Sequence, residues 1–179
     1  MNDIVIETER LRLRNWRSGD DLLLDRHCNT EGVMRWLGGV ASREAIAEAV
    51  ARCIDWQTRL GYTYWVVERT SDREFLGFCG LRPPDCQIAG GDDLEIGWRL
   101  REDSWGMGYA REAAAACLRF AFDRIGTKRV IALTCEANVA SWRLMEGLGM
   151  RRRADLDYWD EGSPAEMNPF IVYELEEQR

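Results

Sequence analysis

The residues able to do chemistry fall in two short segments. The first, Trp105-Gly106-Met107-Gly108-Tyr109-Ala110-Arg111-Glu112-Ala113, joins a strand-like run to an apolar helical stripe. Gly106 and Gly108 lack Cβ atoms, so a phosphate can come close to the backbone. The first turn of a helix leaves N–H groups unpaired, and the helix dipole adds positive potential there. Glycine loop and helix start thus form an anion site. The second segment holds Asn138, at a strand-to-helix junction, and Ser141, one helical turn on and on nearly the same face. The pair can offer an amide and a hydroxyl to a ligand lying between strands. Each also has a plainer use, Asn138 as an N-cap and Ser141 as a small packing residue.

Rare residues narrow the chemistry. The 179-residue chain has one histidine, His27, and 24 basic residues, all arginine except Lys128. One histidine rules out a multi-histidine metal site, and no metal site is expected. Lys128 is followed by Arg129, so there is no G-x-x-x-x-G-K-[ST] phosphate loop. The 31 acidic residues give a net charge of -7. That balance argues against nucleic acid as a partner, because phosphate binding needs a basic face. The six cysteines (Cys28, Cys53, Cys79, Cys86, Cys117, Cys135) contain no C-x-x-C pair, and several lie in apolar runs. They are expected to be reduced and packed as small hydrophobes. No apolar run approaches the roughly 18 residues of a membrane span, and residues 1–9 show no signal-peptide pattern. The expected setting is cytoplasmic, with no membrane partner.

Regular elements must hold these groups in place. Residues 4–14 end in the alternation Leu11-Arg12-Leu13-Arg14, which predicts a half-exposed strand with its arginines outward. Ser18-Gly19-Asp20-Asp21 offers a cap to a helix carrying His27 on its surface, and residues 33–37 read as a short helical turn. Ser42 caps a longer helix with Ile46, Val50 and Cys53 on its apolar stripe. Strands follow at 62–68, 75–81 and 94–100, the last with Gly97 marking a bulge or a close backbone approach. A helix runs from Ala110 to Gly126, a strand over 129–135, and a short helix over 138–146. Strands over 151–159 and 167–174 close the chain. The order β-α-α-β-β-β-α-β-α-β-β is one mixed α/β domain.

With those elements in order, the sequence resembles the GNAT superfamily of acyl-CoA-dependent N-acetyltransferases. Glu95-Ile96-Gly97-Trp98-Arg99-Leu100, the glycine loop, and Asn138-x-x-Ser141 leading to Leu148-Gly149-Met150 carry the resemblance. Glu9-Arg10-Leu11-Arg12-Leu13-Arg14 and Glu31-Gly32-Val33-Met34-Arg35-Trp36-Leu37 are similar to the branch that includes ribosomal-protein N-terminal acetyltransferases. The resemblance implies one N-acetyltransferase domain over residues 1–179. Its fold class would be α/β: a single mixed, mostly antiparallel sheet, splayed at the central strands, with flanking helices. Acetyl-CoA would lie in the splay. The resemblance assigns the pyrophosphate to the backbone N–H groups of Met107, Gly108, Tyr109, Ala110 and Arg111. It assigns the pantetheine arm to the strand backbone of Ile96, Gly97 and Trp98 and to Asn138, and places Ser141 near the thiol. Two positions depart from the family pattern. Trp105 stands where Arg or Gln often opens the glycine loop. Met145 stands where many members carry a tyrosine that protonates the leaving thiolate, leaving Ser141 or water for that role.

The implied partner is an amine, a peptide N-terminus or a small molecule, and a homodimer is compatible with the resemblance. An amine attacks a thioester only as the free base. Deprotonation at pH 7.4 costs about 4 kcal/mol for a lysine-type ammonium and under about 1 kcal/mol for an α-amine. Glu95 is the candidate base, its alternative being a solvent-facing strand residue. Strand N–H groups near Trp98 suit the oxyanion. A non-catalytic acyl-CoA-binding module on the same fold is the competing expectation, motivated by Met145. Dinucleotide binding through Gly106-x-Gly108 fits poorly, because Arg111 occupies the third glycine position. Arg151-Arg152-Arg153 reads as a solvated edge or a contact for the CoA 3′-phosphate. Trp36, Trp105 and Trp159 are candidates to line an acceptor pocket.

Overall fold

Period-two alternation in the strands and period-3.6 stripes in the helices build an eight-stranded sheet covered on both faces. The structure, a computed structural model, describes residues 3–84 and 93–177. Cys86 and residues Gly90-Gly91-Asp92, expected from the sequence to fall in a loop, lie outside the described residues. The strands are β1 (Ile4–Glu7), β2 (Leu11–Arg14), β3 (Tyr64–Arg69), β4 (Phe75–Arg82), β5 (Leu94–Leu100), β6 (Arg129–Cys135), β7 (Arg151–Arg152) and β8 (Phe170–Glu176). The helices are α1 (Asp20–Cys28), α2 (Glu31–Met34), α3 (Arg43–Leu60), α4 (Tyr109–Phe120) and α5 (Val139–Gly147). Sheet order is β1-β2-β3-β4-β5-β6-β8-β7. The β5–β6 pair is parallel and the others are antiparallel. This is the α/β class expected from the sequence.

Alternation sends Leu11, Leu13, Trp65, Val67, Cys79 and Leu81 to one face, where Ala113, Cys117 and Leu118 of α4 pack. The opposite face carries Tyr64, Val66 and Phe78 against Leu24 of α1 and Ile46 and Val50 of α3. Local signals set the helix ends. The Ser42 hydroxyl accepts the Ala45 N–H at 3.1 Å. A π-helical turn (Ala121–Ile125) extends α4 to Gly126, whose φ of +80° stops it. Five buried thiols, Cys28, Cys53, Cys79, Cys117 and Cys135, are free, as expected.

Three local expectations change, and one of two alternatives at Gly97 holds. The 4–14 run is a hairpin, because the Thr8 N–H and Leu11 carbonyl close a turn at 2.9 Å. Arg14 points inward, since α1 covers that end of the sheet. Its guanidinium reaches Asp20 Oδ2 and Oδ1 at 2.7 and 2.9 Å, and its Nε reaches Glu68 at 2.6 Å. The expected 151–159 strand shrinks to β7 and one bridge at Tyr158. There the Asp157 carboxylate accepts the Val172 N–H at 3.0 Å, so a side chain takes a ladder position. Gly97 marks close approach and not a bulge. A Cβ there would stand 2.9 Å from the Tyr64 hydroxyl, and the β4–β5 register runs through it unbroken.

Arg14 and Asp20 are buried and Glu68 is half-buried beside them, so removing the cation strands two carboxylates. Arg14→Leu is expected to cost about 3–5 kcal/mol of unfolding free energy, measured by urea denaturation.

Candidate active site

The central opening comes from one short ladder. β5 and β6 pair at Leu94↔Val130 and Glu95↔Ile131 and then part. On the far sides, β4 follows β5 to Gly77↔Leu100, and β8 follows β6 to Cys135↔Phe170. Backbone groups of Ile96, Gly97 and Trp98 that point toward β6 therefore lack a strand partner. Arg129 pins the closed end, reaching Asp93 Oδ1 at 3.0 Å and Glu174 Oε2 at 3.4 Å. Buried Glu174 also takes Arg153 at 2.6 Å and Arg151 at 3.5 Å, while Arg152 pairs with Glu136 and Asp157. The basic triplet is thus engaged with acids of its own chain.

The glycine loop lies at the open end. Gly106 and Gly108 have φ of +74° and +80°, left-handed values that suit glycine. Gly108 precedes α4 with no side-chain cap. The first helical N–H with a partner is that of Glu112, bonded to the Gly108 carbonyl at 3.0 Å. Among the described residues, the N–H groups of Met107, Gly108, Tyr109, Ala110 and Arg111 have none. The Trp105 indole donates to the Leu100 carbonyl at 2.8 Å and remains about half exposed. Thr30 donates to Glu102, seating α2 on the 3-10 turn (Glu102–Ser104) that leads into the loop.

A clamp from the first hairpin holds this loop, and sequence reasoning missed it. Arg10 Nε donates to Glu112 Oε2 at 2.7 Å, and its Nη1 donates to the Met107 carbonyl at 3.0 Å. Its guanidinium carbon lies 4.8 Å from the Tyr109 ring centroid. The Thr8 hydroxyl donates to Glu112 Oε1 at 2.6 Å. Burial alone would raise the Glu112 carboxyl, but the Thr8 hydroxyl and Arg10 hold it below the usual range. A lowered carboxyl stabilises the fold above its unfolded value of about 4.3 and loses that contribution as pH falls through the folded value. The clamp is therefore intact at neutral pH.

Asn138 starts α5 but its side chain makes no cap hydrogen bond. Among the described residues, neither the Asn138 amide nor the Ser141 hydroxyl has a hydrogen-bond partner, and both residues are half-buried. Met145 is buried in the main core, which explains an apolar residue at that position. His27 is half-buried near Phe75 rather than on the open surface, and burial with Arg101 and Arg26 holds it below its ordinary value.

Glu95 is buried, not solvent-facing. Arg82 grips it at two points, Nε to Oε1 at 2.9 Å and Nη2 to Oε2 at 2.7 Å. The Tyr64 hydroxyl adds a third donor at 3.2 Å to Oε1. Burial, then the Glu95 charge, pushes Tyr64 well above the ordinary tyrosine value, so it stays protonated and donates. Two positions past Gly97, on the same face, Arg99 lies with its Nε buried and unbonded. An unmatched buried donor costs about 1–3 kcal/mol.

Unpaired loop amides suit a pyrophosphate, and the gap between β5 and β6 suits a linear arm. Asn138 and Ser141 bring uncommitted polar groups. The chain's own residues therefore fit acetyl-CoA. The class these features define is an acyl-CoA-dependent transferase, and comparison with known proteins agrees. A family model described as an acetyltransferase (GNAT) domain matches residues 10–151. The YkkB protein of Bacillus subtilis (strain 168) is 33% identical over 172 residues, covering 93% of this chain and 92% of its own. A GNAT-family acetyltransferase structure from Bacillus anthracis superposes with a TM-score of 0.79 at 25% identity, covering 96% of this chain and 97% of that one. The ribosomal-protein-S5-alanine acetyltransferase of Vibrio fischeri shares the fold at a TM-score of 0.77 and 15% identity, with 97% of each chain covered. The chain belongs to the GNAT acetyltransferase family and is an acetyl-CoA-dependent N-acetyltransferase.

The clamp gives a direct test. Arg10→Ala is expected to raise the acetyl-CoA KM about tenfold, about 1.4 kcal/mol, with a much smaller change in kcat. Steady-state kinetics at saturating acceptor checks this split.

Proposed function

We propose that the protein acetylates primary amines of low basicity, α-amines foremost, by direct attack in a ternary complex. The two-point ion pair between Arg82 and Glu95 carries this reading. The guanidinium and the tyrosine hydroxyl already fill three of the lone-pair sites of the Glu95 carboxylate, leaving one to accept a substrate proton. Such a carboxylate suits an amine that is already partly free base, where deprotonation at pH 7.4 costs under about 1 kcal/mol, rather than a polyamine costing about 4 kcal/mol.

Bound acetyl-CoA supplies the acetyl group as an activated thioester. The loop N–H groups of Met107, Gly108, Tyr109, Ala110 and Arg111 bind its pyrophosphate. Ile96, Gly97 and Trp98 offer backbone groups to its arm, with an N–H near Trp98 facing the developing oxyanion. Asn138 orients the arm. Two donors fill Oε1 of Glu95, and one donor leaves a lone pair on Oε2. That lone pair takes the ammonium proton, directly or through water. The Ser141 hydroxyl delivers a proton to the departing thiolate and regains one from the newly acylated nitrogen, directly or through water.

Thiol release should be measured with acetyl-CoA against peptides, amino acids, polyamines and aminoglycosides. Peptide α-amines are expected to give kcat/KM at least tenfold above spermidine. Glu95→Gln should lower kcat on α-amines by about 10²-fold or more while changing the acetyl-CoA KM less than threefold. An unchanged kcat removes Glu95 from the proton path.

A further inference from the structure

Arg99 is a half-buried cation with no ion-pair partner among the described residues. Arg14, Arg82, Arg101, Arg129 and Arg153 each grip a carboxylate. Among the described residues none pairs with Arg99, and its Nε is buried with no hydrogen-bond partner. Its guanidinium carbon lies 5.2 Å from the Phe78 ring centroid. Phe78 stacks on Tyr64 at 5.3 Å, and the Tyr64 hydroxyl bonds to Glu95 at 3.2 Å. A continuous stack of side chains therefore links the Glu95 carboxylate to this guanidinium, on the face that α1 and α3 cover. The neighbouring thiols do not neutralise it. Burial pushes Cys28 up to about 12 and raises Cys53, so both are uncharged at neutral pH.

A half-buried guanidinium with no carboxylate partner among the described residues has the chemistry of a carboxylate receptor. It lies beyond Glu95 on β5, in the stretch that β6 has left. We propose that Arg99 receives a carboxylate of the acceptor, so that the substrates are primary amines that also carry a carboxylate. This deepens the α-amine reading and rests on the Glu95 cleft being the acceptor site. Four strand residues separate Glu95 from Arg99, roughly 13 Å of Cα path that two long side chains shorten. That span fits an amine and a carboxylate on one small acceptor or on one peptide end. A net charge of -7 repels anions in general, so Arg99 supplies the local exception.

The test compares acceptors that differ as carboxylate and carboxamide, with KM expressed in free-base amine so that the change in amine basicity cancels. Free amino acids against their α-amides read a backbone carboxylate. Peptides with Glu or Gln at the second position read an acidic side chain. Wild type is expected to favour one carboxylate series by at least tenfold in KM. That ratio should collapse to under threefold in Arg99→Met and recover in part in Arg99→Lys. Thermal shift with the same pairs reads binding without turnover. A carboxylate-specific upshift lost in Arg99→Met supports the receptor even if no acceptor is acetylated, in which case the α-amine reading alone fails. Equal KM values and equal shifts for both series, or a preference that survives Arg99→Met, overturn the proposal. The variant is expected to fold, because removing an unmatched buried donor should raise the apo Tm.

Discussion

Two parallel strands that pair at two positions and then separate set the terms for the whole molecule. Backbone N–H and C=O groups left along the parting edges must find partners in water or in a ligand. The separation persists because each strand is held from its outer side, β5 by β4 and β6 by β8. The closed end is pinned by Arg129 between Asp93 and Glu174. The open end receives the starts of α4 and α5, so the glycine loop, Asn138 and Ser141 all lie at the same end of these strands. A cleft of this kind needs little specialised chemistry, because the thioester donor arrives activated and positioning supplies much of the rate.

Arginine is the structural currency of this protein. With Lys128 as the single lysine, interior cations are guanidiniums, and planar two-point pairing fixes the groups they touch. Arg14 ties the first hairpin to α1 and β3. Arg10 ties it to the glycine loop across 102 residues of sequence. Arg82 sets the orientation of Glu95. The Arg14 and Arg82 pairs are worth more than surface ion pairs because their partners are half-buried or buried, where screening is weak. Against that background the bare guanidinium of Arg99 is a departure from the rule the chain otherwise follows.

The scarcity of histidine and lysine is consistent with this division of labour. In the proposed mechanism, backbone amides bind anions, one carboxylate and one hydroxyl handle protons, and arginines keep them oriented. Met145 fits the same scheme: its position faces the core, so a polar group there would be buried.

Local patterns fixed much of the architecture in advance. The 94–100 and 129–135 strands, the Ser42 cap and the Gly126 stop depend on alternation, capping and positive φ, each written within a few residues. The glycine loop and the Asn138–Ser141 pair were legible for the same reason. Tertiary structure decided what those patterns face. Alternation showed that Arg12 and Arg14 share a side of their strand, but only α1 covering that side turned Arg14 inward. Glu95 read equally as a base or an exposed strand residue until sheet register set it opposite Arg82 and beneath Tyr64. The Arg10 clamp and the isolation of Arg99 have no sequence signature, since both depend on which distant side chains the sheet order brings near. Periodicity is a property of neighbours in sequence, whereas charge pairing at a site is a property of neighbours in space.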